Sequence, residues 1–215
     1  MLNIGFLLAK LQDMFLGGTT TTSSTVEWIM TELMRNPRVL KKAQDEVRRV
    51  MGNKPKTDVI RHINKMDYLK CIIKESLRLH VPAPLLPPRE TTESIELQGY
   101  HIPANTRVLI NAWAIQMDPS LWDSPEEFLP ERFENNSIDF QGDNFEFLPF
   151  GVGRRVCPGL KFGISSVECM TASLLYCFDW KLAEDIEALD MSEVNALTVQ
   201  KKVPLYLVPI PYHDP

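Results

Sequence analysis

One stretch of sequence decides the fold that we predict for this chain: Phe147-Leu148-Pro149-Phe150-Gly151-Val152-Gly153-Arg154-Arg155-Val156-Cys157-Pro158-Gly159, followed by a helical pattern. Gly151 and Gly153 allow the backbone to turn tightly, and Pro158 suits the first position of a helix. We therefore expect Cys157 at a helix N-terminus, where free N–H groups and the helix dipole favour a thiolate. A buried, unreactive cysteine in a turn is equally compatible with these local features.

The composition is that of an ordinary globular protein. The 215 residues, 44% of them hydrophobic, are enough to bury a core in one or two domains. A net charge of -5 without a lysine- or arginine-rich stripe argues against nucleic-acid binding. The four cysteines lack the paired C-x-x-C spacing of a zinc module, so we expect reduced thiols. They are Cys71, Cys157, Cys169 and Cys177.

The pattern of apolar residues divides the chain into five segments. These are a long helix with a weak middle over 1–34, two helices over 37–80, strands and irregular chain over 81–149, the cysteine loop and a final helix over 150–179, and short strands over 180–215. The spacing predicts helices at Pro37–Met51, Asp67–His80 and Asn111–Gln116, and strands at Ser94–Leu97 and Arg107–Ile110. The irregular stretch from Asp118 to Gly153 is long, which in a compact domain usually accompanies function.

Two short motifs precede the cysteine loop. Glu75-x-x-Arg78 puts an acid and a base on one helical face, and Pro130-Glu131-Arg132-Phe133 supplies another such pair. Each alone is typical of a solvated ion pair. In this order, with Phe150-x-x-Gly153-x-Arg155-x-Cys157-x-Gly159, they resemble the haem-thiolate enzymes of the cytochrome P450 superfamily.

Three further phrases resemble the plant A-type group of that superfamily. They are Tyr68-Leu69-Lys70, Glu75-Ser76-Leu77-Arg78-Leu79-His80 and Pro88-Arg89-Glu90. The resemblance covers nearly the whole chain. It implies the C-terminal half of the family's fold, mainly α with small β-sheets (α+β), beginning at the long oxygen-binding helix.

The resemblance implies haem b (iron protoporphyrin IX) as the cofactor and Cys157 as its thiolate ligand. Phe150 would pack beside the sulfur, and Gly153 would permit the tight turn. Gly159 would let the final helix approach the porphyrin. Electron donation by the thiolate favours cleavage of the O–O bond.

The resemblance also assigns tasks to several charged residues. Arg155 and Arg89 match positions near the haem edge and would pair with its propionates. Glu75, Arg78 and Arg132 would form a buried network that holds the cysteine loop in place.

The middle of the long helix reads Gly17-Gly18-Thr19-Thr20-Thr21-Thr22. Glycines and threonines weaken a helix, because threonine hydroxyls can bond to carbonyls one turn earlier. By resemblance, a distortion at Gly18 would make room for oxygen, and Thr21 would help to deliver protons. Family members usually carry Asp or Glu where this chain has Thr20, so a relay here would run through water, Thr21 or another group.

Apolar residues mark the expected substrate contacts. They are Val81, Leu85, Leu86 and Leu197, which suit a lipophilic small molecule. The resemblance implies a monooxygenase of plant secondary metabolism that takes electrons from NADPH-cytochrome P450 reductase. Arg154 and Lys161 would lie on the face that the reductase approaches.

Two alternatives stay open at this stage. Thr20 is compatible with a haem-thiolate isomerase or dehydratase that needs no reductase. An inactive truncated chain is the other, because the family's N-terminal half, with its membrane anchor, is expected to be absent. The resemblance places the full-length parent on the cytosolic face of the endoplasmic reticulum membrane.

Overall fold

The computed structural model describes residues 4–183, 188–194 and 198–212, apart from the side chains of Phe6 and Leu7. The α-helices in these ranges are α1 (Ile4–Arg35), α2 (Pro37–Met51), α3 (Val59–His62), α4 (Asp67–Leu79), α5 (Ala112–Gln116) and α6 (Leu160–Cys177). The strands are β1 (Arg89–Glu90), β2 (Ile95–Leu97), β3 (Tyr100–Ile102), β4 (Arg107–Val108), β5 (Phe178–Leu182), β6 (Glu193–Val194), β7 (Gln200–Lys201) and β8 (Leu207–Pro211). The fold is mainly α with small antiparallel sheets, as predicted.

The core lies where the C-terminal half of α1 meets α2, α4 and α6. Each helix contributes apolar residues at helical spacing; on α2 these include Ala43, Val47 and Met51, which are fully buried. Burying each large aliphatic side chain contributes about 1.5–3 kcal/mol before conformational entropy is subtracted. The helix that directly follows the cysteine loop, α6, is part of this packed bundle.

The long helix α1 is continuous from Ile4 to Arg35, with no break at the weak middle that the sequence shows. Its first half is exposed and rich in apolar side chains, which include Ile4, Leu8, Leu11, Met14, Phe15 and Leu16. Its second half is buried in the core. No helix in the described part of the chain combines the length and apolar character needed to span a membrane.

Local sequence signals locate α2 and α4 closely. Pro37 occupies the first turn of α2 and Gly52 follows its last residue, with a φ of 48° that suits glycine. α4 ends at Leu79, one residue before the predicted end, because His80 has left the helical conformation. The four-residue helix α3 is missed by the sequence pattern, since it is too short to show a period.

The sheets are two-stranded and antiparallel. β2 and β3 form a hairpin whose turn residues, Gln98 and Gly99, have φ values of 48° and 83°. The predicted strands at Ser94–Leu97 and Arg107–Ile110 are shorter in the structure. The sequence missed β1 and β3, and β1 pairs with β4.

Two predictions about the final helix are wrong in detail. α6 begins at Leu160, with Gly159 as its N-cap, so Pro158 lies in the preceding turn and Cys157 stands three residues before the helix. The helix ends at Cys177, and β5 begins at Phe178 rather than at Trp180. A turn closed by the Leu160 N–H and the Cys157 carbonyl, 3.3 Å apart, precedes the regular helical bonds.

Candidate active site

The loop before α6 presents the Cys157 thiol. Gly151 and Gly153 each have a φ of 70°, a conformation that strains residues with a Cβ atom. The Cys157 N–H donates to the Phe150 carbonyl at 2.9 Å, which closes the loop on itself. Cys157 is half-buried and is not in a disulfide. The sulfur is thus held by a folded-back backbone rather than by packing in the core.

Gly159 leaves the neighbourhood of this sulfur free of a side chain at that position. A Cβ atom added to Gly159 would lie 3.8 Å from the Cys157 sulfur, so a larger residue there would fill space next to the thiol. Cys71 is a poor alternative, because burial raises the pKa of its thiol and keeps it neutral.

The two arginines expected at the haem edge differ in their surroundings. Arg89 lies in β1, and its Nε is buried without a hydrogen-bond partner among the described residues. Leu86, three residues earlier, lies 3.7 Å from where a Gly151 Cβ would stand, which brings this segment to the cysteine loop. Arg155 lies in a short 3-10 turn (Gly153–Arg155) and is exposed. A buried donor without a partner is costly, so the surroundings of Arg89 fit the binding of an anionic group.

Glu75, Arg78 and Arg132 are in direct contact. Arg78 donates to both oxygens of Glu75 at 2.9 Å, and Arg132 Nε donates to Glu75 Oε1 at 3.0 Å. The Glu75 and Arg78 side chains are 0% exposed. A buried carboxylate between two guanidinium groups has its charge compensated and its lone pairs occupied.

The guanidinium groups also hold the irregular segment before the cysteine loop. Arg78 donates to the carbonyls of Gln116, Pro125 and Glu127. The Trp122 ring lies beside Arg78 and packs edge-on against the Phe147 ring at 6.4 Å. A stretch without regular hydrogen bonding is therefore fixed by side chains.

In the middle of α1, threonine hydroxyls bond back to the helix. Thr21 Oγ1 donates to the Gly17 carbonyl at 2.6 Å, and Thr25 Oγ1 donates to the Thr21 carbonyl at 2.8 Å. Thr20 and Thr21 are partly exposed, and a Cβ added to Gly18 would have no neighbour within 4 Å. The helix thus has open space on this side, with hydroxyl groups at its edge.

Comparison with known proteins shows which family this chain belongs to. The family model described as cytochrome P450 matches residues 2–208. The chain belongs to the cytochrome P450 family. Membership of this family implies a haem cofactor.

The relatives include plant cytochromes P450 of the 71 series, in agreement with the predicted A-type group. Phenylacetaldehyde oxime monooxygenase CYP71AN24 of Prunus mume is 56% identical over 95% of this chain and 39% of that protein. Cytochrome P450 71A1 of Persea americana is 57% identical over 96% and 41%. The chain thus spans about two-fifths of the length of these curated relatives.

Solved structures agree with the fold. A zebra fish cytochrome P450 determined with progesterone superposes with a TM-score of 0.81 at 28% identity. The match covers 93% of this chain and 45% of that chain. The predicted fold is confirmed.

In this P450 chain, the expected substrate residues have different surroundings. Val81 and Leu86 are buried, and Leu86 packs with Ala112 and Leu148 in a small apolar cluster. Leu85 is 46% exposed. Leu197 lies outside the described residues. Of the three residues with a described position, Leu85 alone offers an open apolar face.

Sequence reasoning missed a polar cluster around His80. The His80 ring stacks on Trp28 at 3.9 Å, with Nε2 2.8 Å from Glu32 and Nδ1 3.4 Å from Glu193. Burial lowers the pKa of His80, but the two carboxylates outweigh it and raise that pKa above its ordinary value. The Lys201 ammonium lies over the Trp28 ring, with Nζ 4.6 Å from the ring centroid. The cluster joins α1, the end of α4 and the paired strands β6 and β7, and no local motif marks it.

Sequence reasoning also missed Gln116, the last residue of α5. Its side chain is fully buried and hydrogen-bonded to α4 and to Leu148. In the sequence it ends an apolar run, Ala112 to Ile115, and resembles a surface residue at the end of a short helix. The partners lie more than thirty residues away on either side, so periodicity carries no signal for it.

Proposed function

We propose that this chain carries the haem-binding part of a plant monooxygenase that inserts one oxygen atom of O2 into a lipophilic secondary metabolite. Electrons would come from NADPH through NADPH-cytochrome P450 reductase. The observation that carries the proposal is the free, half-buried Cys157 thiol on a loop shaped by Gly151 and Gly153, with a glycine, Gly159, beside its sulfur. The name of the Prunus mume relative, a monooxygenase, supports the reaction class.

The residues of the cysteine loop fit a bound haem b. Cys157 would ligate the iron, with Phe150 beside the sulfur. Gly153 would permit the tight turn, and Gly159 would let the final helix approach the macrocycle. When bound, haem supplies oxygen activation, which a thiolate ligand favours by donating electron density. Phe150 already packs edge-on against Phe140 at 5.8 Å, so its ring has a fixed place near the loop.

The arginines and the buried network would orient the cofactor. Arg89 and Arg155 would each pair with a haem propionate, for which guanidinium geometry is suited. The unpartnered Arg89 Nε supports this role more strongly than the exposed Arg155 does. Glu75 and Arg132, with Arg78, would keep the supporting segment rigid.

Protons would be handled at α1. The Thr21 hydroxyl donates its hydrogen to Gly17, which leaves its oxygen free to accept from a water molecule. Thr20 has no carboxylate to take up or release a proton, so relay through Thr21 and water is the proposed route. Gly18 would leave the adjacent space open, and Leu85 would offer the apolar contact to substrate.

Thr20 also favours a second candidate function, a haem-thiolate isomerase or dehydratase. Such an enzyme rearranges an already oxygenated substrate and needs neither reductase nor proton relay. The two functions differ in their requirements. Product that depends strictly on NADPH, reductase and O2 supports the monooxygenase, whereas product formed from a hydroperoxide without NADPH supports the alternative.

The reductase would approach the face that carries Arg154 and Lys161, both exposed. Attraction between these cations and an acidic partner weakens as salt screens it. Electron transfer should therefore slow as ionic strength rises, and rates independent of salt would contradict this docking face. Location at the cytosolic face of the endoplasmic reticulum membrane is part of the same proposal.

A further inference from the structure

The Gln116 side chain is an amide buried with both donors in use. Nε2 donates to the Leu77 carbonyl at 3.1 Å and to the Arg78 carbonyl at 2.9 Å. Oε1 accepts from the Leu148 N–H at 2.9 Å. The side chain is 0% exposed, so each of these bonds forms away from water. A buried amide is costly unless its groups are paired, and here they are.

These bonds join two parts of the site. Leu77 and Arg78 lie in the last turn of α4, where carbonyls lack partners within the helix. Leu148 opens the cysteine loop, and its carbonyl accepts from the Gly151 N–H at 3.1 Å. Gln116 therefore bonds the end of the helix that carries the buried ion pair to the start of the loop that carries the thiol.

The ion-pair network itself does not make this connection. Arg78 and Arg132 donate to carbonyls between residues 116 and 127, and Glu75 accepts from Leu129. Within the described ranges, the Gln116–Leu148 bond is the hydrogen bond that ties residues 148–157 to any residue before Phe147. The aromatic contact of Phe147 with Trp122 is apolar and does not fix a backbone group.

We propose that Gln116 is a positioning residue for the thiolate loop. Its amide fixes the position of Leu148 relative to α4. The turn at Gly151 and the hydrogen bond from the Cys157 N–H to the Phe150 carbonyl then fix the position of Cys157 relative to Leu148. The inference rests on the proposed haem-thiolate function, and it deepens that function by naming a residue that controls the ligand without touching it.

The test compares two buried amides. Gln116→Met keeps length and removes all three side-chain bonds. Gln44→Met is the matched control, because Gln44 is also buried but bonds to Phe178 and Asp179, away from the loop. Both variants are compared with the wild-type protein. Backbone amide exchange is measured for each protein in its haem-loaded form and again after haem is removed.

The first readout is the exchange rate of the Leu148 N–H. It should be slow in the wild-type protein and about tenfold or more faster in Gln116→Met, as expected for loss of one buried hydrogen bond. Gln44→Met should leave it unchanged. Fast exchange at Leu148 in the wild type overturns the proposal without any variant, so failure of a variant to fold does not protect it.

The second readout is the absorption spectrum of the ferrous carbon-monoxide complex. Gln116→Met should convert part of the red-shifted thiolate band to the band of a neutral thiol, whereas Gln44→Met should keep the wild-type ratio. Equal ratios in the two variants overturn the positioning role. Absence of the thiolate band from the wild type itself would count against the proposed function. The exchange rate of the Leu148 N–H would still test whether Gln116 holds Leu148 in place.

Discussion

The buried carboxylate of Glu75 gives the sharpest prediction about stability. Its Oε1 accepts from Arg78, Arg132 and the Leu129 N–H, and its Oε2 accepts from Arg78 Nε at 2.9 Å. Glu75→Gln removes the charge and can turn an NH2 group toward Arg78. Two guanidinium groups then remain in the interior without a counter-charge, and loss of one partner of such a pair costs about 3–5 kcal/mol.

Equilibrium unfolding in urea, followed by far-ultraviolet circular dichroism, measures this cost. With an m value of about 2.5 kcal/mol/M, the unfolding midpoint should fall by about 1–2 M. The haem concentration must be equal in all samples, because a ligand of the native state adds its own stabilisation. Asp45→Asn is the control; it removes a partner of Lys41 in a pair whose side chains are both more than half exposed, and should change the free energy of unfolding by about 0.5 kcal/mol or less. A Glu75→Gln effect as small as the control's would refute the view that the network is a buried, tightly coupled ion pair.

Three further predictions concern other parts of the chain. Phe147→Ala removes a fully buried ring and should lower the free energy of unfolding by about 3–5 kcal/mol. Phe145→Ala is the control; it removes an exposed ring and should lower that free energy by about 0.5 kcal/mol or less. Equal losses for the two variants in thermal or urea unfolding would show that Phe147 does not contribute to the packed core. The pKa of His80 is raised in the fold, so the stability from its charged contacts is complete below about pH 6.5 and is lost as pH rises through the folded pKa. The stability gap between wild type and His80→Gln should therefore narrow with rising pH, and a gap constant with pH would contradict the charged contact. Thr21→Ala should lower product formed per NADPH consumed several-fold while Thr21→Ser retains most of it, and unchanged coupling in Thr21→Ala would exclude the threonine from proton delivery.

Much of the fold follows from local sequence signals. Pro37 and Gly52 fix the two ends of α2, and the apolar spacing of Leu69, Ile72 and Ile73 identifies α4. Short strands are harder to predict, because the two residues of β1 owe their conformation to pairing with β4, which lies almost twenty residues further along the chain. The start of α6 was placed too early, since Pro158 is compatible with both a turn and a first helical position.

The site was predictable to the extent that its residues stand in motifs. Glu75, Arg78 and Arg132 were grouped by their order in the sequence, and the structure places them in contact. The roles of Gln116 and His80 were not predicted, because their hydrogen-bond partners lie in distant segments of the sequence. A buried amide and an exposed one look alike in a sequence, and only the tertiary contacts distinguish them.

The central claim is that Cys157 is the thiolate ligand of haem iron. The most direct measurement is the spectrum of the ferrous carbon-monoxide complex for wild type, Cys157→Ala and the control Cys169→Ala, which removes another half-buried thiol. The red-shifted thiolate band should be present in wild type and in Cys169→Ala, and absent from Cys157→Ala. A band that survives intact in Cys157→Ala would contradict the assignment.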